Sequence, residues 1–265
     1  MSGPGMPGSP PARALPPDMR LRIIGSGDAF GSGGRANACF LLETGQAIVS
    51  IDFGATSLVE MRRSGIDPRS IDVILLSHLH GDHFGAIPAL LLFRQFACKQ
   101  RRPLTIVGPV GTRERLLAAS EIFYPGTSAI DWKFELTVID LPTETPWSGH
   151  GVGLLSHEVI HPSGAPATGL RIAASGRLLA YSGDTEWTEA LTRIAADADL
   201  FICECYHPYG TPVSHMSLQR ILEERERLRA KSIMLTHMGE TMLERIDEAL
   251  AEGLLIARDG LIHDF

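Results

Sequence analysis

Ser77-His78-Leu79-His80-Gly81-Asp82-His83-Phe84-Gly85 decides how the rest of the chain is read. Immediately before it, Ile71-Asp72-Val73-Ile74-Leu75-Leu76 is a short, almost wholly apolar run, the pattern of a strand buried on both faces. Gly81 breaks the pattern, and Ala86-Ile87-Pro88-Ala89-Leu90-Leu91-Leu92-Phe93 then reads as a helix. The histidines therefore sit where a buried strand turns into a helix, the usual place for a site on an α/β sheet. His78 and His80, two apart on extended backbone, point to one side and can share a metal ion through imidazole nitrogens. Asp82 and His83 follow at the turn and can serve a second ion beside the first. Imidazole with carboxylate suits zinc, and also manganese or iron. Three of the chain's ten histidines fall within these six positions, where an ordinary polar loop would carry few.

Working outward, 265 residues fit one large α/β domain or two small ones, and the 44% apolar fraction supports a substantial core. No apolar run approaches the roughly 20 residues of a membrane span. Residues 1–18, rich in Pro and Gly, cannot form a packed element and read as a mobile tail without the apolar segment of a secretory signal. Four scattered cysteines, Cys39, Cys98, Cys203 and Cys205, read as reduced thiols in a cytoplasmic protein. The net charge of −7 weighs against a nucleic-acid-coating surface. The run Arg94 to Arg102, with Lys99 and Arg101, is the one candidate basic patch; a solvated helix end is its plainer reading.

Met19–Ile24 alternates as a strand, and the glycine-rich loop after it fails as a dinucleotide fingerprint because Phe30 stands where the third glycine is required. Ala38–Glu43 and Ala47–Asp52 form a hairpin across Thr44-Gly45-Gln46. Asp52 then caps a helix at Ser57–Ser64 or lies near the metals without ligating them. Val152–Ile160 alternates and ends at His161-Pro162; His161, rather than His157, is the expected third ligand of the first ion. Leu178–Tyr181 runs into Ser182-Gly183-Asp184-Thr185. Asp184 is placed to bridge two ions, or alternatively to cap a helix at Trp187–Ala196. Glu204 interrupts an apolar strand, and a buried carboxylate needs a partner, for which His215 is the natural choice. Strand Ser232–Leu235 ends at His237, which repeats the strand-end placement and completes the second ion's ligands; a helix over 241–251 follows.

The ordered set His78-x-His80-x-Asp82-His83, His161, Asp184, His237 resembles the metallo-β-lactamase superfamily pattern over about residues 19–265. The resemblance implies an α/β fold, an αββα sandwich of two face-to-face sheets with helices outside. It implies two divalent cations, zinc first, with manganese or iron as alternatives. One is held by His78, His80 and His161, the other by Asp82, His83 and His237, and Asp184 bridges them. Ser77–Gly85, Ser182–Thr185, Glu204 and Ser214–Ser217 are most similar to the ribonuclease Z-like phosphodiesterase branch. There a Glu–His pair beside the metals contacts the scissile phosphate, and Glu204 and His215 occupy those places here. The branch's tRNA-binding arm has no counterpart, since only a tight hairpin joins His161 to Asp184. That favours phosphodiesters smaller than or different from tRNA. A homodimer is carried over by the same likeness.

The implied mechanism is attack by a hydroxide that two divalent ions bridge and activate. Asp82 and Asp184 orient it while serving as ligands, and His215 acts as general acid, kept protonated by Glu204. A thioester, lactone or carboxylic-ester hydrolase resembling glyoxalase II shares the metal set but has no evident need for the Glu–His pair. An iron oxygenase would not require the full second set of ligands.

Overall fold

The computed structural model describes residues 19–97 and 101–265. The expected tail 1–18 lies outside the described residues, as do Cys98 and Lys99. Six strands open the chain: β1 (Arg20–Gly25), β2 (Cys39–Glu43), β3 (Ile48–Ile51), β4 (Val73–Leu75), β5 (Leu104–Gly108) and β6 (Leu136–Asp140). Seven more follow: β7 (Trp147–Gly149), β8 (Val152–Val159), β9 (Ala167–Ala174), β10 (Arg177–Tyr181), β11 (Leu200–Glu204), β12 (Ile233–Thr236) and β13 (Leu255–Ile256). β14 (Ile262–Asp264) returns to pair with β1, so the sheets run β14-β1-β2-β3-β4-β5-β6 and β13-β12-β11-β10-β9-β8-β7.

Side-chain alternation along the strands explains the layering. In β11, Leu200 and Ile202 face the other sheet and join Leu21, Phe40, Val49 and Leu75 in the central core. Phe201 and Cys203 face outward onto α5 (Ala190–Ala195) and α6 (Leu218–Leu228), together with Leu191, Ile194 and Ile221. The first sheet is covered in the same way: Ile74 and Ile106 meet α1 (Ser57–Arg63), α3 (Ile87–Phe96) and α4 (Thr112–Phe123) through Met61, Leu90 and Leu116. Burying each such side chain stabilises by about 1.5–3 kcal/mol. The result is the expected αββα sandwich. Cys203 and Cys205 are buried free thiols in the outer layer, as the spacing of two predicts.

Both sheets are parallel where it matters. β3 to β6 run parallel, as do β10 to β13. The carboxyl ends of β3, β4, β10, β11 and β12 therefore open at one edge of the sandwich, the edge that binds ligands in such sheets.

Several local expectations are corrected. The helix after Asp184 is only Ala190–Ala195, with Glu189 in its capping position, because the Thr185 and Glu186 N–H groups donate to Glu204 and to the Ile160 carbonyl. Asp184 therefore caps nothing. Asp52 does not cap α1 either, whose first flanking residue is Thr56. The helix expected over 241–251 breaks into α7 (Glu240–Leu243) and α8 (Ile246–Ala251), where Arg245 leaves helical geometry at φ −116°. Within the basic run, Arg94 is 5% exposed, and its guanidinium donates to the carbonyls of Ile71, Arg102 and Pro103. Arg102 pairs with Asp72 at 2.7 Å. Among the described residues, no helix is long and apolar enough to cross a membrane.

Candidate metal centre

β4 delivers Ser77 and His78 to the open edge, and α2 (Gly81–Phe84) begins at once, with His80 as its extended first flanking residue. Gly54 permits this turn to pack closely, since a Cβ there would lie 2.0 Å from the Asp82 carbonyl oxygen. Gly183, before Asp184, has φ +60°, and a Cβ on it would meet the Thr168 carbonyl oxygen at 2.7 Å. Asp52 and His237 both adopt left-handed backbone at φ 55°, a geometry that costs about 1–3 kcal/mol for a non-glycine residue. Backbone hydrogen bonds hold them there: the Asp52 N–H donates to Leu75 and the His237 N–H to Ser26.

The seven residues expected to ligate metals converge in two sets. One nitrogen from each of His78, His80 and His161 lies within 4.8 Å of the others, and Asp82, His83, Asp184 and His237 form an equally tight group. His80 Nδ1 is 3.1 Å from His161 Nε2. Asp82 Oδ2 is 3.2 Å from Nε2 of both His83 and His237. A single oxygen, Asp184 Oδ2, lies 3.3 and 3.2 Å from His83 and His237 and 3.9 Å from both His78 and His161. Donor atoms around one tetrahedral zinc ion are about 3.3–3.4 Å apart, so these spacings suit a pair of ions with Asp184 between them.

On His78, His83 and His161 the opposite ring nitrogen is already committed, whereas His237 Nδ1 is buried without a partner. Nδ1–H of His83 donates to Asp52 Oδ2 at 2.7 Å, and Nδ1–H of His161 donates to the Ser214 carbonyl at 2.8 Å. Nδ1–H of His78 meets Ser77 Oγ, whose own hydroxyl donates to Asp52. Each bond fixes the ring and leaves Nε2 facing the pocket, the usual support for a metal-ligating histidine. His78 Nε2, His83 Nε2 and Asp184 Oδ1 are buried with no hydrogen-bond partner. Orphaned donor atoms of this kind, all converging, fit divalent cations.

In the metal-free protein, protons take the cations' place. Burial opposes charge on His83, but Asp184, Asp82 and Asp52 outweigh it and hold its pKa well above the ordinary value. His237 is likewise raised to about 9, burial being overcome chiefly by Asp184. Burial opposes ionisation of Asp184 too, yet His237 and His83 pull its pKa well down. A metal would therefore have to displace protons from His83 and His237, and affinity should rise with pH up to about 9, where His237 loses its proton unaided. Competition against a chromophoric chelator at several pH values measures this; a flat dependence would contradict the arrangement.

Beyond the metal sets, Glu204 is fully buried and accepts Nδ1–H of His215 at 3.0 Å, together with the Thr185 and Met216 N–H groups. His157, the competitor of His161, pairs instead with Glu144. Sequence reasoning missed Tyr206 and Phe30 at the pocket. Tyr206 stacks on His215 with ring centroids 4.9 Å apart, and Phe30, 84% exposed, lines the mouth. Tyr206 was findable, since two steps along an extended segment put it on Glu204's face.

A family model described as anti-Pycsar protein Apyc1 matches residues 19–259. The chain belongs to the anti-Pycsar protein Apyc1 family. This Apyc1-family chain is also 27% identical to ribonuclease Z of Bacillus licheniformis, over 88% of its own length and 94% of the relative's. Its fold is similar to that of the Bacillus subtilis metallo-β-lactamase fold protein YhfI (TM-score 0.77, 21% identity, 94% and 100% of the two chains). It is also similar to the short form of human tRNase Z (TM-score 0.75, 21% identity, 92% and 98%). The Apyc1-family chain is thus a metal-dependent hydrolase of the metallo-β-lactamase superfamily, on its ribonuclease Z-like branch.

Proposed function

We propose that the protein hydrolyses small phosphodiesters. In this reading His78, His80 and His161 would hold one divalent ion, Asp82, His83 and His237 a second, and Asp184 would serve both; zinc is the first choice, manganese or iron the alternatives. Such ions lower the pKa of water and offset charge on the phosphate oxygens. Asp82 orients the attacking water by accepting its hydrogen bond. The water oxygen forms the new P–O bond and releases its proton to solvent. As the P–O bond to the alcohol breaks, the alcohol oxygen takes a proton from His215.

The observation that carries the reading is the Glu204–His215 pair. Burial opposes charge on His215, but the hydrogen bond and charge of Glu204 outweigh it and raise its pKa. Nearby dications would work against that proton, which is why a buried carboxylate behind the ring matters. Carbonyl substrates, whose leaving groups depart from a tetrahedral adduct, have less need of it. Only the hairpin of β9 and β10 follows His161 before Asp184, which favours diesters smaller than tRNA.

The test is turnover of bis(p-nitrophenyl) phosphate against a lactone and a thioester by the zinc- or manganese-loaded enzyme. Diester activity alone supports the proposal. Activity confined to the lactone or thioester would replace it with a glyoxalase II-like function and make Glu204–His215 a structural pair.

The reading treats residues 19–265 as one catalytic unit and includes a homodimer. Ile122 and Phe123 at the end of α4 are exposed, apolar surface of the kind that two copies bury. Light scattering should give twice the chain mass, and Ile122→Glu should give the mass of one chain. Single-chain mass in the unmodified protein would remove the dimer from the proposal.

A further inference from the structure

Ser214 has left-handed backbone at φ 68° and is held at both of its peptide groups. Its N–H donates to the Glu186 carboxylate at 3.1 Å, and its carbonyl accepts Nδ1–H of His161 at 2.8 Å. The next residue is His215, whose ring donates to Glu204 at 3.0 Å. Glu186 is tied to the same region a second time, because its own N–H donates at 3.1 Å to the carbonyl of Ile160, the residue before His161. One half-buried glutamate thus joins three chain segments: the end of β8 that leads to His161, the turn after Asp184, and the loop that carries His215. Neither the metal sets nor the Glu204–His215 pair includes it. We propose that Glu186 is a positioning residue that, through Ser214, locks the general acid to the first metal set, so that filling His78, His80 and His161 orders the segment 207–217; this rests on the metal centre and on His215 as proton donor, not on which ester is cleaved.

A left-handed φ is unfavourable for any residue with a Cβ, so Ser214 keeps it only while groups outside the residue hold its N–H and its carbonyl. Glu186 holds the first and His161 the second. A cation on His161 Nε2 draws electron density from the ring and makes Nδ1–H the stronger donor, while the Ser214 carbonyl makes Nε2 the better ligand. Metal binding and the turn at Ser214 therefore stabilise each other, and such coupling is reciprocal. On the other side of His215, the Met216 N–H is fixed to Glu204 at 3.2 Å. The imidazole thus stands between two carboxylates that grip the backbone, Glu186 before it and Glu204 after it. Without the Glu186 carboxylate, the turn keeps one support of its two.

The test needs no turnover. Zinc affinity is measured by competition with a chromophoric chelator, and amide hydrogen exchange in 207–217 is followed by mass spectrometry with and without zinc. In wild type, zinc should slow exchange there by at least about tenfold. Glu186→Ala should bind zinc roughly tenfold more weakly and lose most of that slowing. Glu186→Gln keeps an oxygen for the Ser214 N–H and should restore both. Ser214→Gly adopts left-handed backbone freely and should match wild type, whereas Ser214→Val, β-branched at that φ, should behave as Glu186→Ala. Exchange in β11 should stay at the wild-type level throughout; if Glu186→Ala loosens β11 as well, the two Ser214 variants decide.

Wild-type affinity and wild-type slowing in Glu186→Ala overturn the inference. So does a loss that Glu186→Gln fails to restore, which assigns the effect to charge, or identical behaviour of Ser214→Gly and Ser214→Val. Exchange in 207–217 that ignores zinc in wild type overturns it too. Wild type that shows the coupling but cleaves no diester overturns the diesterase reading and leaves this inference standing. Protein that binds neither zinc nor manganese overturns both.

Discussion

Asp184→Asn is expected to lose both metal ions and to lower turnover by at least about 1,000-fold. One oxygen of this side chain stands within 4 Å of donor nitrogens on His78, His83, His161 and His237, so no other single group serves both sets. An amide keeps the shape but removes the charge and half of the acceptor capacity. The metal-free variant should also be less stable, by around 3 kcal/mol, because Asp184 is 2% exposed and its loss breaks a buried ion pair from one side. Elemental analysis for bound metal, together with thermal melts of the metal-free forms, checks both parts. A variant retaining two ions per chain and ordinary turnover would remove Asp184 from its bridging place.

His215→Ala should separate substrates by their leaving groups. Alkyl esters need a proton on the departing oxygen, so their turnover should fall by about 10²–10⁴-fold. Nitrophenyl esters depart as stable anions and should lose far less. Equal losses on both would mean that His215 positions rather than protonates. Glu204→Gln makes the companion test through pH. The carboxylate raises the His215 pKa, so its neutral replacement lowers that pKa. The acid form then disappears at lower pH, and the alkaline limb of the rate profile should move to lower pH. Both variants keep the seven side chains of the two candidate metal sets, so bound metal should stay near that of wild type.

Much of the sandwich and of the metal set is legible in the sequence, for a physical reason. A strand buried on both faces, broken by glycine and followed by a helix, forces its first polar residues to the open edge of a sheet. His78, His80, Asp82 and His83 obey that logic, and Asp184, Glu204 and His237 repeat it on the second sheet. What is not legible lacks a periodic signal. β7 and β13 are edge strands of only three and two residues, too short to show alternation. Arg94 looks like surface charge until three backbone carbonyls enclose its guanidinium. Asp184 also satisfies the local rule for a helix cap, and the bonds from the Thr185 and Glu186 N–H groups to Glu204 and Ile160 make the following segment bypass the helix.

The division of the ligands between two sheets has a consequence for how the enzyme is made. His78 to His83 leave the ribosome more than 150 residues before His237, since Asp82 and His237 are separated by 155 positions. The early sheet also stays open until β14 arrives, as Arg20 pairs with Asp264 across 244 positions. Closing such distant contacts is slow compared with local structure formation. A half-synthesised chain can thus offer imidazoles to any passing cation but cannot enclose one. Selection of the proper metal therefore falls late, when the second sheet docks.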